Sequence, residues 1–257
     1  MSEELLQERR GSILIASLNR PEARNALNSA LLGALGEVID QAETDPGIRA
    51  VVLTATGDRA FCAGMDLRDF AAAGQEPKAG TGVATGFQRL VNGEVSVPVI
   101  GAANATAVAG GFELLLACDI IVASSQAKFG LPEVKRGLFA AGGGTFLGTR
   151  VPLGIALEMT LTGDSIDAQR AHALGLVNSV VAPEDVLSRA LEYAERIVAN
   201  GPLGVAATKE LVRLGVTDHK RAQERRAELQ KSVFTSSDAR EGALAFVEKR
   251  PPVWQGR

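Results

Sequence analysis

Two glutamates, and the small residues around them, are the parts of this sequence equipped for chemistry. Glu113 stands in residues 106–121, TAVAGGFELLLACDII. No charged residue occurs from Val95 to Phe112, and Leu114, Leu115 and Leu116 follow the glutamate at once. A buried carboxylate without a partner is expensive. Glu113 therefore reaches solvent, or has a partner, or has an altered acidity that is of use. Gly110 and Gly111 read as the opening of a helix just ahead of it. A helix start presents unpaired N–H groups and the positive end of the dipole, and glycine lets a ligand approach the backbone. The plain alternative is a glutamate tied to the helix start and facing water, for which the leucines leave little room. Glu133 follows Pro132 in KFGLPEVKRGL, residues 128–138. Pro-Glu is a common helix start, so Glu133 alone reads as a surface cap residue and gains weight only by facing Glu113. DRAFCAGMDL, residues 58–67, follows the apolar run AVVLTATG. A strand ending in a small-residue turn leaves N–H groups free for a carbonyl or phosphate oxygen. An ordinary strand-to-helix loop is the other reading.

Other chemical tools are scarce. His172 and His219 lack metal spacing, and no Gly-x-Ser-x-Gly elbow is present. Cys62 and Cys118 have no CxxC spacing and read as reduced packing residues. GGGTFLG, residues 142–148, fits a loose nucleotide-loop pattern but lies mid-chain after EVKRGLFAA, so it reads as a tight turn into a helix. Carboxylates and backbone amides are what remains. With 257 residues and a net charge of −3, nothing favours nucleic acid or an anionic membrane surface. An anionic ligand needs local positive charge. The start, MSEELLQERR, is not a signal peptide, and the apolar run from Val95 is broken by Pro98, Asn104 and Thr106, so no membrane span is expected. The expected location is cytoplasmic.

The elements that must position these groups follow from periodicity. Residues 12–21 read as a strand ending in a turn. Residues 28–46 carry Leu31, Leu32, Leu35, Val38 and Ile39 at helical spacing, with Asn28 or Ser29 as cap and Pro46 as stop. IRAVVLTATG, VPVIGAANA and CDIIVAS read as buried strands. GIALEMTLTG and AQRAHALGLV read as short helices, and residues 183–202 and 203–215 as longer ones. Short buried strands alternating with helices indicate an α/β class with parallel pairing.

Together, LNRPEARNALN, RAVVLTATGDRAFCAGMDL, VPVIGAANATAVAGGFELLLACDIIVAS, AKFGLPEVKRGL, LTGDSIDAQRAHALGLVN and AFVEKRPPVWQGR closely resemble the crotonase (enoyl-CoA hydratase/isomerase) superfamily. They span nearly the whole chain in family order. The resemblance implies a crotonase spiral of ββα units, residues 1–200, with a helical C-terminal region for trimerisation and as a lid, residues 201–257. It implies a homotrimer or dimer of trimers acting on an acyl-CoA thioester, with no cofactor, since coenzyme A is part of the substrate. By the same resemblance Glu113 and Glu133 are the catalytic pair, and the N–H groups of Met65 and Gly110 form the oxyanion hole. Substrate contacts are implied at Ala23, Arg24, Ala63, Gly64, Asp66, Leu67 and Gly111, and at Phe246 and Lys249, a pair that in relatives often comes from the neighbouring subunit. The implied reaction is reversible addition of water to a trans-2-enoyl-CoA. Isomerase and carnitinyl-CoA dehydratase chemistry on the same scaffold are the alternatives, and GGFELLLACD and FVEKRPPVWQGR resemble the dehydratases. A fold that binds acyl-CoA without catalysis is a further alternative, opposed by the retained glutamate pair. The sequence departs from the family's habit at NATAVAGG, at GLFAAGGG and at Met65, all beside the expected acyl pocket.

Overall fold

The computed structural model describes residues 4–66, 69 and 85–256. Strand β1 (Leu5–Arg10) leads to β2 (Ile13–Leu18), helix α1 (Ser29–Thr44) and β3 (Ala50–Ala55). Helix α2 (Thr85–Val91), β4 (Val99–Ala103), β5 (Ala107–Val108) and α3 (Gly110–Ala117) follow, then β6 (Ile120–Ser124) and β7 (Lys128–Gly130). Two 3-10 turns, Pro132–Arg136 and Gly144–Thr149, precede α4 (Leu153–Thr162), β8 (Ile166–Asp167), α5 (Ala168–Ala173) and β9 (Ser179–Val181). Helices α6 (Val186–Val198), α7 (Pro202–Thr217), α8 (His219–Phe234) and α9 (Ser237–Glu248) complete the chain.

The large sheet runs β1-β2-β3-β4-β6-β9 and is parallel apart from the β1–β2 pair. The small sheet runs β5-β7-β8 and is continued by single bridges, Cys62 with Ala107 and Leu27 with Met65. So each turn of the chain leaves the large sheet, touches the small one and then turns into a helix or a 3-10 turn. That is the spiral of ββα units the sequence implied.

Alternation along the strands explains why both faces of the large sheet are covered. Ile13, Ile15, Ala50, Val52, Ile100, Ala102 and Val122 face one way and meet Val186, Ala190 and Ala194 of α6. Leu14, Ala16, Val51, Leu53, Val99, Ala103 and Ile121 face the other way, onto α1 and α3. Each fully buried leucine or isoleucine contributes about 1.5–3 kcal/mol. Helix α1 starts where expected, with the Asn28 side chain accepting from the Leu31 N–H at 2.9 Å. That cap is worth about 1 kcal/mol. Helix α3 sits so close to β4 that a Cβ on Gly101 would lie 2.7 Å from the Leu115 side chain.

Strand β1 is not foreseen in the sequence. Only Leu5 of LLQERR is buried deeply, and Leu6 is 46 % exposed, as befits an edge strand. Helix α7 is held to the core by ion pairs. Asp119 meets Lys209 and Arg213, each at 2.7 Å, and also accepts from the Val99 N–H. The C-terminal tail folds back on α9: Arg250 pairs with Glu241 at 2.6 Å, Asp238 accepts from the N–H groups of Gln255 and Gly256, and the Trp254 indole N–H reaches the Ala199 carbonyl.

Candidate active site

Helix α3 begins at an unusual residue. Ala109 has φ +51° and ψ −134°, a left-handed setting that costs a non-glycine residue about 1–3 kcal/mol. Its surroundings enforce it. The Ala109 N–H donates to the Gly130 carbonyl at 2.9 Å, and its own carbonyl receives the Phe112 and Glu113 N–H groups at 2.8 and 3.0 Å. Alongside runs the loop after β3, fastened by Phe61 N–H to the Thr106 carbonyl and Val108 N–H to the Cys62 carbonyl. The two segments come within one atom's width of each other. A Cβ on Gly64 (φ +92°) would lie 2.7 Å from the Ala109 methyl and 3.3 Å from the Gly110 nitrogen. A Cβ on Gly110 would lie 3.7 Å from the Met65 nitrogen. Among the described residues, neither the Met65 N–H nor the Gly110 N–H has a protein acceptor. Two donors thus sit side by side at the start of a helix.

Glu113 stands in the first turn of α3 and is 8 % exposed. It does not face water along the helix surface. Its Oε1 accepts the Gly144 N–H at 2.9 Å, and the Gly142 N–H also acts on it. The approach is close: a Cβ on Gly142 would lie 2.7 Å from Oε2. Burial pushes the Glu113 carboxyl above its ordinary value, and the two glycine N–H groups draw it part of the way back.

Glu133 lies in the 3-10 turn Pro132–Arg136. It is not the surface cap residue its local sequence describes. Its Oε2 is buried without a hydrogen-bond partner among the described residues. Burial raises its carboxyl first, and the charge of Glu113 raises it further, while its own backbone N–H and Arg136 oppose the shift. The two acids therefore feel one another across the chain from α3 to the following 3-10 turn.

The remaining residues singled out from sequence divide into two groups. The Ala63 N–H donates to the Arg24 carbonyl at 3.1 Å, so Ala23 and Arg24 adjoin Ala63, Gly64 and Met65. Asp66 accepts from Arg20 at 3.1 Å. Gly111 is buried in the first turn of α3 against Cys62. Leu67 lies outside the described residues. Phe246 and Lys249 are apart from this cluster: Phe246 is 86 % exposed on α9, and Lys249 is its left-handed cap. No hydrogen bond or ion pair among the described residues ties either to the glutamates.

Sequence reasoning missed the part played by Gly142 and Gly144. Residues 142–148 do form a turn into a 3-10 helix, as expected, but the turn's N–H groups are the partner Glu113 needed. The signal was present in combination only: a buried carboxylate lacking a cation, and a glycine run lacking a phosphate. Among the described residues no group of three His, Cys, Asp or Glu side chains is placed to hold a metal ion, and no helix is long and apolar enough to cross a membrane. Chemically, the cluster offers two donors for an oxygen bearing negative charge and two carboxyls able to exchange protons.

A family model described as enoyl-CoA hydratase/isomerase matches residues 8–257. The carnitinyl-CoA dehydratase of Proteus mirabilis is 40 % identical over 264 residues, covering 100 % of both chains. Among solved structures, an enoyl-CoA hydratase from Mycobacterium tuberculosis superimposes with a TM-score of 0.92 at 44 % identity, covering 100 % of each chain. A carnitinyl-CoA hydratase from Mycobacterium avium matches with a TM-score of 0.76 at 39 % identity, again over 100 % of both.

Proposed function

The chain belongs to the enoyl-CoA hydratase/isomerase family, and we propose that it adds water reversibly across the double bond of a trans-2-enoyl-CoA. The observation that carries this reading is the inequality of the two carboxyls. Burial raises both carboxyls, but two glycine N–H groups act on Glu113, whereas Glu133, with only its own backbone N–H, keeps a buried oxygen unpartnered and feels the Glu113 charge, which favours its neutral form. On this reading Glu113 is the base and Glu133 the acid.

In the proposed cycle the thioester oxygen lies between the N–H groups of Met65 and Gly110. The ionised Glu113 takes a proton from water as the water oxygen bonds to Cβ. The electron pair of the double bond moves toward the thioester and forms an enolate, whose oxygen the two N–H groups stabilise. Losing one such donor costs about 2.7–4 kcal/mol. Glu133 then gives its proton to Cα. Only protons and water move, so the cycle calls for no cofactor beyond the coenzyme A of the substrate. Phe246 and Lys249 fit a CoA contact supplied from a neighbouring subunit of a trimer, and a cytoplasmic enzyme of acyl-CoA metabolism is the setting this implies.

The test is loss of the enoyl absorbance of crotonyl-CoA with purified protein. Glu113→Gln and Glu133→Gln should each lower kcat by about 10²–10⁴-fold. Normal turnover by the double variant would sink the proposal. The identity of the carnitinyl-CoA dehydratase relatives supports a second reading, water elimination from a carnitinyl thioester. Product analysis over carnitinyl-CoA and enoyl-CoA isomers separates the two.

A further inference from the structure

Residues 142–150 meet helix α3 at both of its ends. At the first turn the Gly144 N–H donates to Glu113 Oε1 at 2.9 Å. At the last turn Arg150 Nη1 donates to the Leu116 carbonyl at 2.8 Å. Between these points the 3-10 turn Gly144–Thr149 forms a stiff spacer. Its Leu147 is 1 % exposed in the core, and the Leu147 carbonyl receives the N–H groups of Arg150 and Val151 at 2.9 and 3.2 Å. The segment lies along the catalytic helix like a splint tied at two places.

Arg150 is an odd choice for a tie. It is half-buried, and among the described residues it forms no ion pair. Asp119 is already engaged by Lys209 and Arg213. Burial and the like charge of Arg213 both work against the Arg150 cation. Arg213 Nη2 caps the neighbouring Ala117 carbonyl at 2.9 Å, so two arginines tie this end of α3. What Arg150 has and Arg213 lacks is a short, stiff connection to Gly144.

We propose that Arg150 is a positioning residue for Glu113: by fixing the far end of residues 142–150 to the last turn of α3, it keeps the Gly144 N–H on the Glu113 carboxylate. Its catalytic meaning rests on the role proposed for Glu113 above; the geometry stands without it. A donor on the ionised form holds a carboxyl's acidity down. Slackening the splint therefore lets the Glu113 carboxyl titrate at higher pH. Of the charged side chains near Glu113, Glu133 faces it from the 3-10 turn Pro132–Arg136, and Arg136 acts on Glu133. From α2, Arg89 is turned to Asp40 and Glu43 of α1. Among the described residues no hydrogen bond or ion pair joins Glu133 or Arg89 to residues 142–150.

The experiment is a titration of Glu113 by NMR of protein carrying isotope-labelled glutamate, its resonance assigned by its absence in Glu113→Gln. Arg150→Met should move the Glu113 midpoint upward by roughly one pH unit, and the acidic limb of kcat should move with it. Arg150→Lys, which keeps a donor for Leu116, should restore both. Arg213→Met, which uncaps the same helix end, should leave the midpoint in place. If Arg150→Met does not fold, Arg150→Gln, too short to reach the Leu116 carbonyl, takes its place. An unmoved midpoint in the folded variant, or an equal shift in Arg213→Met, overturns the proposal. The NMR readout needs no substrate, so an unmoved midpoint is a failure of the splint. A kcat limb that persists in Glu113→Gln is a failure of the functional reading.

Discussion

A carboxylate placed at 8 % exposure works against the fold that holds it. The carboxyl of Glu113 is raised by burial, so its folded value lies above the ordinary 4.5. Stability linked to its proton is present below the ordinary value and lost as pH rises through the folded one. At neutral pH the charged form is therefore a liability. Glu113→Gln keeps the shape and an acceptor for Gly144 but cannot ionise. It should melt higher than the parent at pH 7 and no higher at pH 4, with about 2–4 °C for each kcal/mol regained. Differential scanning calorimetry at the two pH values checks this. A melting temperature that falls at pH 7 would show that the carboxylate stabilises the fold. Glu133, with an unpartnered buried oxygen, has the same sign of effect. The two carboxyls are thus poorly suited, when charged, to the places they occupy.

At the scale of elements, helix α3 is positioned by what its neighbours lack. Gly101 of β4 leaves room for Leu115, and Gly101→Ala would bring a methyl to 2.7 Å from a leucine that has nowhere to go. Overpacking of this kind costs about 1–3 kcal/mol. The urea midpoint should fall accordingly, and α3 should shift enough to lower kcat as well; an unchanged midpoint would mean that the helix seat is slack. Much of this level was legible in sequence. The alternating strands β2, β3, β4 and β6 and the capped helix α1 stand within a few residues of their expected bounds, because burial on both faces writes a strong pattern. Strand β1 was not legible, because an edge strand with one deeply buried residue writes almost none. The pairing of Glu113 with Glu133 was legible only through family resemblance. Local sequence makes Glu133 a cap, and its burial depends on the chain returning from β7 past α3. The bonds from Gly142 and Gly144 were invisible for the same reason: they join residues about thirty positions apart with no shared motif.

For the whole molecule, the salient fact is a division of labour along the chain. The glutamates and paired N–H groups belong to the spiral, whereas Phe246 and Lys249 stand exposed on the last helix, whose tail is strapped back by Glu241 and Asp238. Helix α4 adds an exposed apolar row, Leu153, Leu157 and Leu161, at helical spacing. On the proposed reading, Phe246 and Lys249 serve the site of a neighbouring subunit. Mixing Glu113→Gln protein with Lys249→Ala protein, after dissociation and reassembly, should therefore regain activity at low substrate concentration. Neither parent alone should show it. Mixtures no better than the sum of the parents would mean that each chain serves only its own substrate.

The crowding of Gly64 against Ala109 also has a consequence in time, for the routes by which this sequence can drift. Between them there is room for one methyl group, and Ala109 has it. Ala109→Gly removes the 2.7 Å collision and relieves a left-handed alanine, after which Gly64→Ala meets its own backbone angle and the tight 3.3 Å approach of the Gly110 nitrogen and Val108 carbonyl. Taken in the opposite order, the same two changes pass through a collision at the mouth of the site. The pair is a one-way street, and a suppressor screen on Gly64→Ala should return Ala109→Gly.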